Sequence, residues 1–71
     1  MTIDEALKAI RKELDISQET LARDLNVSYA TLNRWENNKA KPSRLAMEKL
    51  KGYCANQKIP AEIISALERV R

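Results

Sequence analysis

The segment 17–38 constrains the fold more than any other part of the chain. It predicts two short helices joined by a tight turn, because Ser17 can cap one helix of the pair and Ser28 can cap the other. Asn26 suits the turn, since asparagine tolerates a positive φ better than any residue except glycine. Apolar residues follow helical spacing in both segments, at Leu21, Ala22, Leu25, Leu32 and Trp35. The segment therefore predicts a closely crossing pair of helices.

The second helix of this pair has an unusual polar face. With Leu32 at the centre of the buried side, residues within about 60° of it are Ser28, Tyr29, Trp35 and Glu36. The opposite side carries Ala30, Asn33, Arg34 and Asn37. Solvated helix faces are usually rich in lysine and glutamate, whereas asparagine suits adenine, arginine suits guanine and alanine can touch a thymine methyl. The pattern predicts a helix that reads base edges.

The remaining segments predict three further helices. Thr2 and Glu5 form a capping box for the first helix, which runs to about Leu14. Pro42 and Ser43 open the fourth helix. With 71 residues, 44% hydrophobic, one glycine and no phenylalanine, the chain is expected to be all-α, a compact five-helix bundle forming one domain over 1–71.

The last predicted helix, about 60–70, is more apolar than a terminal helix needs to be. Its stripe consists of Ile63, Ile64, Leu67 and Val70. The stripe can close the core against the first helix, or leave part of its surface for a second subunit. Core closure is the favoured interpretation, and the two are compatible if the stripe is wide.

Charge and reactive side chains limit the function. The formal charge is +3, with carboxylates concentrated before residue 25 and bases following the polar helix, at Lys39, Lys41, Arg44, Lys49 and Lys51. There is no histidine, no glycine-rich phosphate loop and no clustered metal ligand, so neither an enzyme nor a metal or other cofactor is expected. Cys54 is the only cysteine, which fits a buried hydrophobe in a reducing cytoplasm. No signal peptide or membrane span is predicted.

Arg11 lies at the edge of the apolar stripe of the first helix, where a charged group needs a partner. Glu36 is a candidate, because it also flanks a buried face. Spacing alone leaves the alternative that these are two unrelated surface charges.

The run IRKELDISQETLARDLNVSYATLNRWENNKAKPS resembles the helix-turn-helix of the phage repressor and Cro family, also called the XRE-type family. The resemblance covers Ile10 to about Leu50. It includes Ser-Gln opening the second helix, Leu-Ala within it, a serine-capped third helix, and Trp-Glu-Asn followed by Lys-x-Lys-Pro-Ser. It implies the lambda-repressor-like form of the five-helix bundle.

The resemblance also implies roles for particular residues. Gln18 would bond a phosphate and brace the third helix. The major groove would be faced by Ser28, Tyr29, Ala30, Asn33 and Arg34. The DNA backbone would be gripped by Asn37, Lys39 and Lys41. Arg11 and Glu36 would form the partly buried ion pair of the family, with a mainly structural role.

The chain departs from the family pattern at the turn and at the start of the third helix. Asn26 stands where relatives often have glycine, and Tyr29 and Ala30 stand where they often have longer amide side chains. Direct readout is therefore expected to rest on Asn33 and Arg34. Tyr29 either stacks against a sugar or methyl group or packs against the domain surface.

These features predict sequence-specific binding of double-stranded DNA by a transcriptional regulator, acting as a repressor. Such proteins usually bind inverted-repeat operators as homodimers, and for a homodimer of this chain the C-terminal helix is the candidate contact. The alternative is a protein-interaction or targeting module on the same fold, with weak or no DNA binding. The sequence leaves open a phage repressor, an antitoxin or a restriction controller, in each case cytoplasmic and nucleoid-associated.

Overall fold

Five α-helices account for most of residues 2–69, the part of the chain that the computed structural model describes. They are α1 (Ile3–Leu14), α2 (Gln18–Asp24), α3 (Tyr29–Glu36), α4 (Arg44–Asn56) and α5 (Ala61–Arg69). No strand occurs among these residues. The fold is all-α, as the composition and spacing predicted.

Serine side chains cap three of the helices. The hydroxyl oxygens of Ser17, Ser28 and Ser43 accept hydrogen bonds from backbone N–H groups three residues on, at 3.0–3.1 Å. At the start of α1, the Glu5 carboxylate accepts bonds from the backbone N–H and the hydroxyl of Thr2, both at 2.9 Å. Each cap satisfies donors that the first helical turn leaves without a partner, so these local signals set where the helices begin.

The first three helices end in the same way, without glycine. Asp15, Asn26 and Asn38 have φ values of 53°, 58° and 58°, in the left-handed region. The residue after each one donates its N–H to a carbonyl five residues back, at 2.8–3.1 Å. This is the Schellman closure. Asn26 confirms the predicted turn residue, whereas the sequence analysis did not identify Asp15 or Asn38.

One apolar core joins the five helices. α3 packs against α1 and α2, while α5 packs against α1 and α4. The largest fully buried side chains are Leu7, Ile10, Leu21, Leu32, Leu50, Leu67 and Cys54. Ala22, one of the predicted apolar residues of α2, is also buried. The radius of gyration is 10.7 Å, close to the value of about 11 Å expected for a folded chain of this length.

The apolar stripe of α5 faces inward. Ile63, Ala66 and Leu67 are buried, and Ile64 is partly buried against the same core. Val70, the fourth residue of the predicted stripe, lies outside the described residues. The stripe therefore closes the core, which was the favoured interpretation.

Cys54 lies inside this core and is fully buried. Desolvation raises the pKa of its thiol to about 11, so the thiolate is scarce at neutral pH. The residue serves as a small hydrophobe, in agreement with the sequence interpretation.

A single polar contact links α4 to the end of α2. The Tyr53 hydroxyl donates to Asp24 Oδ2 at 3.1 Å. Partial burial, followed by this hydrogen bond, raises the pKa of Tyr53 to about 12. The contact could not be predicted from the sequence because its partners are 29 residues apart.

This contact predicts a pH-dependent stability. Because the folded-state pKa of Tyr53 lies above its ordinary value of 10, the contribution of the protonated phenol is complete below pH 10 and is lost as the pH rises towards 12. Tyr53→Phe should lower the free energy of unfolding by about 1 kcal/mol at pH 8 and make its alkaline decline shallower. Urea unfolding between pH 8 and 11 measures both effects. Tyr29→Phe, at an exposed tyrosine, is the matched control, and an equal change in the two variants would contradict the prediction.

Candidate nucleic-acid interface

The polar face of α3 is open to solvent. Ala30, Arg34 and Asn37 are exposed, and Asn33 is half-buried. The buried residues of the same helix are Leu32, Trp35 and Glu36. α3 therefore has one side anchored in the core and the other free to meet a ligand.

The residues at the start of α3 are more exposed to solvent than their helical spacing suggested. Ser28 and Tyr29 fall near the buried side by angle, yet Ser28 is exposed and Tyr29 is 52% exposed. The buried residues of α3 begin at Leu32, so Ser28 and Tyr29, which precede it, contribute no buried side chain. The Tyr29 ring thus lies beside the polar face, available for stacking.

Two asparagines of the polar face are hydrogen-bonded to each other. Asn37 Nδ2 donates to Asn33 Oδ1 at 3.2 Å, one helical turn away. In this arrangement the Asn33 amide oxygen accepts one hydrogen bond, while both N–H groups of the Asn33 amide remain available. A two-bond contact with adenine needs that oxygen as an acceptor, and its second lone pair lets it accept a further bond while the bond from Asn37 is kept.

The end of α3 is tied to α1 by a two-bond ion pair. Arg11 Nε donates to Glu36 Oε2 at 2.8 Å, and Arg11 Nη2 donates to Oε1 at 2.7 Å. The Glu36 side chain is 2% exposed and that of Arg11 is 27% exposed. Parallel N–H···O bonds of this kind fix orientation as well as distance. The pair therefore holds the polar face in a defined direction relative to α1.

The loop between α3 and α4 carries exposed bases. Lys39 and Lys41 are exposed, and Lys39 directly follows the left-handed Asn38, donating its N–H to the Arg34 carbonyl at 2.8 Å. This bond positions the loop against the last turn of α3. Arg44, at the start of α4, is a further exposed base in this region that the predicted site did not include.

The helix N-termini in this region also favour an anion. The first turns of α1, α2 and α5 contain acidic residues, whereas those of α3 and α4 contain none. A helix N-terminus carries partial positive charge, which attracts a phosphate. Acidic side chains placed there would repel the phosphate. Their absence from α3 and α4 keeps this side of the molecule suited to a polyanion.

Gln18 occupies the first position of α2 and is half-buried. Within residues 2–69, its side chain makes no hydrogen bond to α3. The amide is therefore available to a ligand, and the bracing role that the resemblance implied stays a prediction.

The arrangement of α2 and α3, with the polar face and basic loop beside them, defines a helix-turn-helix DNA-binding fold. A helix-turn-helix family model matches residues 7–54, more than half of the chain. The chain therefore belongs to the XRE-type helix-turn-helix family, a DNA-binding regulatory family and not a family of enzymes. No curated protein and no solved structure gives a significant match.

Among residues 2–69, no helix is long and apolar enough to cross a lipid bilayer. The same residues contain no group of three or more His, Cys, Asp or Glu side chains that could hold a metal ion.

Proposed function

We propose that this protein, acting as one unit over 1–71, binds a specific sequence of double-stranded DNA and represses transcription there. The observation that carries the proposal is the exposed polar face of α3, held in direction by the bonds from Arg11 to Glu36. A fixed helix with short polar side chains is what reading of base edges in the major groove requires.

Separate parts of the surface would supply affinity and discrimination. Lys39 and Lys41 would contact the phosphate backbone, together with Gln18 and Asn37, and this contribution does not depend on sequence. Discrimination would come from α3, through Asn33 and Arg34, with Ser28, Tyr29 and Ala30 at its exposed start. The protein would bind as a dimer to an inverted repeat, and its role would be binding without catalysis.

Selection of bound sequences from randomised duplex DNA at moderate salt tests this proposal. An enriched inverted repeat is the expected result, and it would also identify the operator. Enrichment of one short half-site would support specific binding but contradict the dimer. Recovery of no DNA would overturn the proposal in favour of a protein-interaction module.

Arg34→Ala is expected to weaken binding to the selected site by about 1–3 kcal/mol, and to relax preference at one base position. The physical reason is that a guanidinium donating to the O6 and N7 of guanine discriminates against every other base. Fluorescence anisotropy with the selected duplex and with single-base variants measures both effects. An equal loss on selected and random DNA would make Arg34 a phosphate contact.

Lys39→Ala is expected to weaken binding to all duplexes alike. One fewer phosphate contact releases one fewer counterion, so the slope of log K against log salt should become shallower by about one unit. Titrations at several salt concentrations measure this slope. Lys8→Ala removes an exposed lysine of α1 and is the control, with an unchanged slope expected. An unchanged slope for Lys39→Ala as well would remove Lys39 from the interface.

A further inference from the structure

One face of α4 is exposed to solvent and does not pack in the core. Taking Leu45 as the reference, the exposed residues within about 60° of it around the helix are Glu48, Lys49, Gly52 and Asn56. Leu45 is 79% exposed; among the described residues, Tyr29 is the other large apolar side chain classed as exposed. Further apolar surface lies beside this exposed leucine.

That apolar surface is a groove of about 480 Å³ between the first turns of α4 and the turn that follows α2. Val27, Leu45 and Ala46 supply its apolar lining, and Glu48 and Lys49 lie at its polar edge. The groove widens the apolar area around Leu45 on the same side of the helix.

Gly52 is a second feature of this face that the single chain does not explain. It lies inside α4, where glycine lowers helix stability relative to alanine. Its φ is not positive. A Cβ atom added at this position would meet nothing within 4 Å. Neither backbone conformation nor packing within the chain therefore requires glycine here.

We propose that this face pairs with the same face of a second copy, with the two α4 helices antiparallel. If the two-fold axis passes between positions 48 and 49, Leu45 faces the partner's Gly52, and Glu48 faces the partner's Lys49. Each contact occurs twice, as a symmetric dimer requires. The large side chain then fills the space left by the glycine, and both charges meet opposite charges.

The charge order specifies this arrangement rather than a parallel one. In a parallel pair, Glu48 would face the partner's Glu48, and Lys49 would face the partner's Lys49. Like charges placed opposite each other are unfavourable, whereas the antiparallel register converts them into two attractive pairs. The face is thus complementary to itself in both size and charge, which favours a second copy over an unrelated protein as its occupant.

This face of α4 would form the contact surface of the dimer described under the proposed function. The pairing rests on that function only for its biological role. The contact then lies on α4 and not on α5, the candidate helix from the sequence, because the stripe of α5 packs in the core. A contact over two or three helical turns is small for a protein interface. The dimer is therefore expected to be weak in solution and to be reinforced when both copies bind one DNA duplex.

An exchange of charges tests the pairing without DNA. Sedimentation equilibrium of the full chain at high concentration should show a monomer–dimer equilibrium. Glu48→Lys and Lys49→Glu should each raise the dissociation constant by about tenfold or more, since each creates two like-charge contacts. The double exchange E48K/K49E should restore the wild-type constant. Glu62→Lys makes the same charge change at an exposed position of α5 and should have no effect.

A change at Gly52 tests the size complementarity. Gly52→Gln introduces a good helix former into a position with open space around it, so thermal unfolding of the dilute monomer should occur at a higher temperature. The same side chain should block Leu45 of the partner subunit and raise the dissociation constant by about tenfold. These opposite shifts separate a lost interface from a damaged fold.

Three results would overturn the inference: a wild-type chain that stays monomeric at the highest concentration, a double exchange that fails to restore the dimer, or a Gly52→Gln variant that dimerises normally. The outcome is separable from that of the proposed function. Failure of DNA selection with intact self-association would remove the proposed function alone. Enrichment of an inverted repeat by a chain without α4 self-association would remove this inference alone.

Discussion

Replacement of Arg11 by alanine is expected to lower the free energy of unfolding by about 3–5 kcal/mol. The loss is large because Glu36, at 2% exposure, would remain buried without the guanidinium that now donates two hydrogen bonds to it. A domain of this length has a total stability of roughly 4–10 kcal/mol. Urea unfolding followed by the fluorescence of Trp35 should therefore show a midpoint at a much lower urea concentration than that of the wild type.

The ion pair should be asymmetric, which provides an internal control. In Glu36→Gln, the guanidinium keeps one acceptor and, at 27% exposure, can reach water, so a smaller loss of about 1.5–3 kcal/mol is expected. An apolar pair, R11M/E36L, should recover much of the stability because no charge is stranded. Arg23→Ala, at an exposed arginine of α2, should change stability by less than about 0.5 kcal/mol. A loss for Arg11→Ala no larger than this would show that the pair is not important to the fold.

Leu32→Ala is expected to cost about 2–5 kcal/mol. Leu32 is fully buried at the centre of α3, which packs against both α1 and α2. Its truncation removes apolar contacts and leaves a cavity that three helices border. Chemical denaturation with a two-state fit measures the loss, and binding of the selected duplex at low temperature reports whether α3 keeps its orientation.

Leu45→Ala is the matched control, because the same chemical change is made at a leucine that is 79% exposed. In the dilute monomer its effect should stay within about 0.5 kcal/mol. Equal losses for Leu32→Ala and Leu45→Ala would contradict the assignment of Leu32 to the core and of Leu45 to the surface.

Much of the local structure could be predicted from the sequence, because the responsible interactions span only a few residues. The hydroxyls of Ser17 and Ser28 bond N–H groups three positions away, and Asn26 closes α2 through bonds within one turn. Such short-range contacts leave a recognisable order of residue types. The third helix and its polar face followed from the same reasoning, together with the resemblance.

Other local features carried a weaker signal. Asp15 and Asn38 adopt the same left-handed conformation as Asn26, yet aspartate and asparagine also occur in many other loop conformations. Asn33 and Asn37, which are hydrogen-bonded to each other, are four residues apart, a spacing that brings side chains into contact on any helix. Spacing alone did not show that the two amides would engage each other instead of facing solvent.

The sequence by itself determined where the helices begin, which sides of them are apolar, and the family to which the chain belongs. Only the tertiary structure revealed that Tyr53 reaches Asp24, and it decided between the alternatives that spacing left open for Arg11 with Glu36 and for α5. It also left Leu45 exposed. The physical reason is that helical periodicity defines an apolar side but not its neighbour. The partner of a side chain 25 or 29 residues away depends on how all five helices share one core.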